Sequence, residues 1–319
     1  MKTIQSKREL KEALLHLRGP FEASGNSESA KPGGTVSARA KQGGQKDSEN
    51  ETAIVGLVPT MGFLHEGHLE LIRRCKDECA ITVVSIFVNP TQFNDPSDYE
   101  NYPVDLKRDL DLLEREGVDL AFIPHAREMY PENQLSVQMS LPELTSNLCG
   151  AHRPGHFDGV LLVVAKFFNI VNPDRAYFGL KDYQQFLVIR TMARSLDFPV
   201  EVIGCETVRE EDGLAMSSRN ARLSEKAREH AALIPRALNL VQKTLNDRKG
   251  RYSVSCAELC EIASDVIESG TLNRVEYMEI VDPDSLKKLD EIQADRTARI
   301  ATAVFCDGVR LIDNRPLHF

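Results

Sequence analysis

The chain has 319 residues, 42% hydrophobic and 27% charged, with a formal net charge of −9. These are ordinary globular values with room for one large domain or two modest ones, and the negative balance disfavours general nucleic-acid binding through the phosphate backbone. No run approaches ~18 consecutive apolar residues, so no membrane span is expected, and seven scattered cysteines point to reduced thiols in the cytoplasm.

The first 19 residues, MKTIQSKRELKEALLHLRG, carry an amphipathic, charged helix pattern without the apolar core and cleavage site of a secretory signal. Ser6 to Glu9 fits a capping box, Leu10, Leu14 and Leu17 follow at helical spacing, and Gly19-Pro20 ends the helix. Residues 20–52 are rich in Gly, Ser, Lys and Glu and nearly empty of large apolar side chains. Such a segment cannot bury enough surface to offset its ordering entropy, so it reads as a disordered insert whose removal should leave activity nearly intact.

From Ala53 the pattern alternates. AIVGLV (53–58) reads as a buried strand, 67–79 as a helix and AITVVSIFV (80–88) as a second strand. DLKRDLDLLEREG is a helix ended by Gly117, and VDLAFIP is a third strand. GVLLVVAKFFNIV is an apolar helix, RAYFG a short strand, DYQQFLVIRTMARSL a helix and FPVEVIG another strand. Strands alternating with helices predict a Rossmann-like α/β fold, a parallel sheet with helices on both faces and ligands at the carboxyl ends of the strands. After about residue 206 the order changes. Helices near 224–247 and 254–269 precede LNRVEYMEIVD, and RTARIATAVFC and VRLIDN flank the hairpin signal Asp307-Gly308. The reading is a Rossmann-like domain over 1–206 and a smaller α+β domain over 207–319, placed to act as a lid. The pairs Cys75/Cys79 and Cys256/Cys260 sit at i, i+4 among apolar neighbours and read as buried small hydrophobes rather than zinc ligands.

The first strand runs into PTMGFLHEGH (59–68). His65-Glu66 suggests the H-E-x-x-H zinc helix, but the position that needs a second histidine is Leu69. His65 and His68 instead fall at a strand end and a helix start. There the unpaired N–H groups carry partial positive charge, and Gly62 and Gly67 admit a ligand close to the backbone. An anion such as a nucleotide phosphate suits that place.

This His-x-Gly-His group resembles the corresponding element of the nucleotidyltransferase superfamily, whose second element, a Ser-rich phosphate loop, is matched by MSSRN (216–220). With SIFVNPTQF (85–93), RPGHFDGV (153–160), FGLKDYQQF (178–186) and VREEDGLAMSSRNARLS (208–224) in order, the chain closely resembles the pantothenate synthetase, or pantoate–β-alanine ligase, family over residues 1–18 and 53–314. It departs in the 20–52 insert and in Leu180, where Glu is common.

The resemblance implies an ATP-dependent condensation of pantoate with β-alanine through a pantoyl adenylate, releasing AMP and diphosphate. A carboxylate is already ionised at neutral pH, so adenylation needs positioning and charge stabilisation rather than a Ser or Cys nucleophile. The resemblance places ATP on Met61, Gly62, Phe63, Leu64, His65, Glu66, Gly67 and His68, on Gly179, Leu180, Lys181 and Asp182, on Val208, and on Met216, Ser217, Ser218 and Arg219. His68 is the implied proton donor, with His65, Lys181 and Arg219 as its catalytic companions, and both histidines are expected to titrate near neutrality. Gln92 and Gln185 are implied for pantoate, and Gln92 and Asn89 for β-alanine; of Gln184 and Gln185, one is expected to face solvent. Magnesium should accompany ATP, with Asp182 and Asp109 as candidate ligands. A cytoplasmic homodimer without nucleic-acid or membrane partners is expected. The alternative is another small-molecule adenylyltransferase of the same superfamily, which would not need the NPTQF and KDYQQ glutamines.

Overall fold

The computed structural model describes residues 1–19, 53–94, 96–132 and 134–319, so the expectation for 20–52 lies outside the described residues. Six strands form one sheet: β1 (Lys2–Ile4), β2 (Val55–Thr60), β3 (Ile81–Ile86), β4 (Leu120–Phe122), β5 (Arg175–Gly179) and β6 (Glu201–Cys205). Their order is β1-β4-β3-β2-β5-β6, and every pairing is parallel. The chain steps from β2 to β3 to β4 in one direction and from β5 to β6 in the other. The order therefore reverses between neighbours β2 and β5, which opens a crevice at their carboxyl ends.

Side-chain alternation fills two cores. Leu57, Val83, Ala176 and Phe178 pack with helices Lys7–Arg18, His156–Val171 and Tyr183–Ser195 on one face. Val58, Val84 and Tyr177 pack with helices Glu66–Glu78 and Leu106–Arg115 on the other. This is the expected doubly covered α/β sheet. Helix His156–Val171 has buried residues around most of its circumference, as its largely apolar sequence requires.

At the N-terminus the helix follows its Ser6 cap as expected, but the residues ahead of it form a strand that the helix pattern did not show. Lys2–Ile4 pairs with β4, Ile4 is fully buried, and the helix starts only at Lys7, where Ser6 Oγ accepts the Glu9 N–H at 3.1 Å. Leu10 and Leu14 reach the core, but Leu17 is largely exposed.

After Cys205 every named strand pairs antiparallel. β8 (Asn273–Val281), β10 (Thr297–Cys306) and β11 (Val309–His318) make one sheet; β7 (Ser253–Ser255) and β9 (Glu291–Gln293) make a ribbon. The Asp307-Gly308 turn joins β10 to β11 with φ of 48° and 77°, the left-handed pair a two-residue hairpin requires. The helix expected over 224–247 is two, Glu225–Ala231 and Leu233–Asp247. Pro235 explains the break, because its ring clashes with the carbonyl four residues back and its nitrogen has no proton to donate. The helix expected from 254 starts at Cys256, since Ser253–Ser255 is drawn into β7. One face of the three-stranded sheet packs on these helices. From the other, Tyr277, Val281, Ala301 and Ala303 join the core of the parallel sheet, as does Leu286 from the turn after β8.

Cys75 and Cys256 are buried, Cys79 and Cys260 half-buried, and all are free thiols. Among the described residues no helix is long and apolar enough to cross a membrane.

Candidate functional site

Beyond β2 the chain turns through Gly62 (φ 82°) and Phe63 (φ 50°) before the helix starts at Glu66. Fully buried Asp109 holds this turn by taking the Phe63 and Leu64 N–H groups on separate oxygens, at 2.7 Å each. Thr60 Oγ1 donates to the Ser85 carbonyl and accepts the Gly62 N–H. A Cβ on Gly62 would lie 2.9 Å from Asp109 Oδ2, so glycine serves both the left-handed backbone and the close approach.

His65 sits just before the helix and His68 one turn into it, with ring centroids 4.0 Å apart. The His65 N–H donates to His68 Nδ1 at 3.3 Å. His68 Nδ1 is therefore unprotonated, and the neutral ring carries its proton on Nε2. Buried His65 Nδ1 has no hydrogen-bond partner within the protein. Burial first, then Lys181, lowers the His65 pKa from 6.5 to about 4. Burial, His65 and Lys181 hold His68 well below its ordinary value. The expectation that both titrate near neutrality gives way here, because desolvation penalises the imidazolium. Both rings are neutral at pH 7 and offer N–H donors rather than charge.

These groups open on a cleft of about 230 Å³ at the β2/β5 switch point. Met61, His65, Gly67, His68, Asn89, Gln92, Gly179, Lys181, Asp182, Gln185, Val208, Met216, Ser217, Ser218 and Arg219 all line it. Motifs far apart along the chain thus meet, as the resemblance implies. Gly62, Phe63, Leu64, Glu66, Leu180 and Asp109 lie outside the lining. Leu64 is fully buried, and Glu66 pairs with Arg73 on the helix surface. Leu180 packs over Gly204 and offers its carbonyl to Asn314. Asp109 anchors the turn and has both oxygens occupied, a placement at odds with a metal-ligand role.

Asn89 is buried and saturated. Its Nδ2 donates to Gln92 Oε1 and to the Gly159 carbonyl, both at 3.1 Å, while its Oδ1 accepts from Thr91 and Tyr130. That leaves it no free group for an amino acid; it orients Gln92, whose Nε2 faces Met61 Sδ at 3.1 Å. Gln185 faces the cleft, whereas Gln184 is buried, not solvent-facing, and donates to the Leu144 and Asn147 carbonyls. Lys181 lies 3.8 Å from Asp182, and Arg219 binds Asp98 at 3.0 Å.

Tyr102, Arg153, His156 and Glu206 also line the cleft and escaped the sequence reading. Tyr102 OH lies 3.3 Å from Ser218 Oγ. His156 Nδ1 donates to the Gln92 carbonyl at 2.8 Å, and Arg153 Nη1 donates to its Nε2 at 3.3 Å. The run RPGHFDGV stood out as a motif but carried no role, because nothing local shows that its arginine and histidine reach Gln92.

Fold and cleft together define a doubly wound α/β protein with donors converging at a helix N-terminus where the strand order reverses, a place suited to an anionic ligand. Comparison with known proteins narrows this. A family model described as pantoate-beta-alanine ligase matches residues 35–316. Pantothenate synthetase of Leptospira biflexa is 48% identical over 263 residues, 82% of this chain and 91% of that protein. The crystal structure of pantothenate synthetase from Thermus thermophilus superposes with a TM-score of 0.82 at 42% identity, covering 100% of both chains. Pantoate-beta-alanine ligase from Francisella tularensis, complexed with beta-gamma ATP and beta-alanine, gives 0.70 at 31% identity, covering 99% of this chain and 97% of that one. The chain belongs to the pantoate–β-alanine ligase family, enzymes that form a carbon–nitrogen bond.

Proposed function

We propose that this ligase works in two half-reactions: the pantoate carboxylate attacks the α-phosphorus of ATP and expels diphosphate, then the β-alanine amine attacks the acyl carbon of pantoyl adenylate and expels AMP. The observation that carries this reading is a single cleft lined by the two histidines, Lys181, the Met216–Arg219 loop and the glutamines Gln92 and Gln185. The related Francisella enzyme, complexed with beta-gamma ATP and beta-alanine, supports it.

In this reading the N-terminus of helix Glu66–Glu78 and the Nε2–H of His68 face the α-phosphate, where charge gathers as the carboxylate adds. His65 supports the phosphates beside it. Lys181, Ser217, Ser218 and Arg219 take the departing diphosphate; Arg219 exchanges Asp98 for phosphate oxygens. Val208 and Gly179 line the nucleoside end. Gln92 and Gln185 hold pantoate through hydrogen bonds that add no charge, which leaves its carboxylate nucleophilic. Among the described residues no group of three or more acidic, His or Cys side chains converges to cage a metal ion. That fits a magnesium ion carried mainly by phosphate oxygens and water, with Asp182 as the protein carboxylate, where it would neutralise phosphate charge.

Residues 207–319 are the proposed lid portion, and their mobile part would be the Met216–Arg219 loop. The antiparallel sheet itself is tied into the shared core through Tyr277 and Val281. Closure would exclude water from an acyl adenylate that hydrolyses when exposed. The test is diphosphate and AMP release with ATP, magnesium and pantoate, with and without β-alanine. Pantoate-dependent diphosphate with steady AMP release only on adding β-alanine is expected. ATP binding without turnover on pantoate would overturn the substrate.

A further inference from the structure

Three cations line the cleft: Lys181, Arg219 and Arg153. Lys181 has Asp182 and Arg219 has Asp98. Among the described residues Arg153 makes no ion pair; its hydrogen bond goes to the neutral ring of His156. Burial, with Arg219 and Arg310 nearby, holds its pKa below the ordinary value; Asp98, whose carboxylate partly offsets this, is already paired with Arg219, so Arg153 is a partly desolvated guanidinium with no ion-pair partner of its own. Such a group costs free energy unless a ligand supplies the anion.

The proposed chemistry leaves one anion unassigned. ATP phosphates have the histidines, Lys181 and the Ser-Ser-Arg loop. The pantoate carboxylate becomes a neutral acyl group on adenylation. The β-alanine carboxylate is a spectator that stays charged from entry to release, and Asn89 has no free group to receive it. One imidazole separates the Gln92 backbone from Arg153, because His156 bonds the Gln92 carbonyl through Nδ1 and Arg153 through Nε2. A short amino acid with its amine beside Gln92 would therefore carry its carboxylate toward the guanidinium, which is suited to a two-point grip.

We infer that Arg153 is the receptor for the carboxylate of the amine substrate and selects a charged amino acid over a neutral amine of the same shape. The inference rests on the adenylate reading above, and its test separates the two. Pantoate-dependent ATP–diphosphate exchange reports adenylation without any amine; none in the unaltered protein would sink the adenylate reading itself. Amide formation is then compared for β-alanine and for 3-aminopropanamide, its neutral isostere. The unaltered protein should prefer β-alanine strongly, and equal kcat/KM for the two would overturn the inference with no variant needed. In Arg153→Met, kcat/KM for β-alanine should fall at least ~30-fold further than exchange does, the scale for losing a charge-assisted hydrogen bond. The neutral amide should fall no further than exchange, and Arg153→Lys should restore part of the preference. Parallel loss of exchange and of both amines would overturn the inference and assign Arg153 to the phosphates or to the fold.

Discussion

His68 is set by its own neighbour. The His65 N–H occupies Nδ1, so the proton resides on Nε2, and burial keeps the ring neutral. In the proposed reaction its contribution is a placed hydrogen-bond donor, and His68→Ala should cut pantoate-dependent diphosphate release by at least ~10²-fold, the scale of one lost transition-state donor. Unchanged single-turnover rates would remove His68 from the chemistry. His156 is held neutral in the same way, with its pKa lowered from 6.5 to about 4 by burial and by Arg153. Between those values the unfolded chain takes a proton that the folded chain refuses. The stability held above pH 6.5 is therefore lost as pH falls toward 4, on the order of 3 kcal/mol for this group. Thermal unfolding should show Tm falling through that window, and His156→Gln should make the fall shallower. A slope equal to the parent's would mean that His156 already protonates in the fold.

At the scale of elements, the site depends on two clamps. Asp109, on helix Leu106–Arg115, grips the turn after β2. Asp109→Ala would leave two backbone N–H groups unpaired, a loss on the order of 2–4 kcal/mol, and adenylation should fall with it. A raised magnesium requirement at unchanged stability, read from denaturant unfolding and a metal titration, would instead restore Asp109 to the metal. The second clamp is the approach of helix His156–Val171 to the Pro90–Gln92 turn. A Cβ on Gly159 would lie 2.3 Å from the Thr91 carbonyl oxygen. Gly159→Ala must push the two apart and break the Asn89 bridge, so KM for pantoate should rise at least ~10-fold. A KM within about twofold of the parent's would show that the turn can shift without moving Gln92.

The whole molecule brings the parallel sheet and the three-stranded antiparallel sheet together at the Leu180–Lys181 turn. Asn314, on β11, donates to the Leu180 and Lys181 carbonyls at 3.0 and 2.8 Å, and neighbouring Asp313 takes a two-point ion pair from Arg209. The antiparallel sheet thus sets the height of Lys181 over the cleft. Asn314→Ala should raise KM for ATP roughly fivefold, the worth of about one hydrogen bond, with little change in KM for β-alanine; an equal rise in both would point to a general loosening.

The elements themselves were legible from local pattern. Short apolar runs set between helical patterns marked β2, β3 and β5, the Asp307-Gly308 turn marked the hairpin, and the order of motifs marked the family. Local pattern failed where a distant partner decides. Lys2–Ile4 is a strand because β4 offers it an edge, and Ser253–Ser255 because β9 does. Asp109 looked like a metal ligand because a carboxylate's partners cannot be seen in its own helix. Arg153 and His156 stayed unassigned because the Gln92 carbonyl they serve lies 64 positions from His156 along the chain. What the sequence determined alone is what short-range physics sets: backbone preference, side-chain periodicity and the kinds of group available for chemistry. What only the tertiary structure decided is the strand order, the protonation of the histidines and which polar groups remain free. Those depend on burial and on contacts between segments whose separation along the chain carries no information about their distance in space.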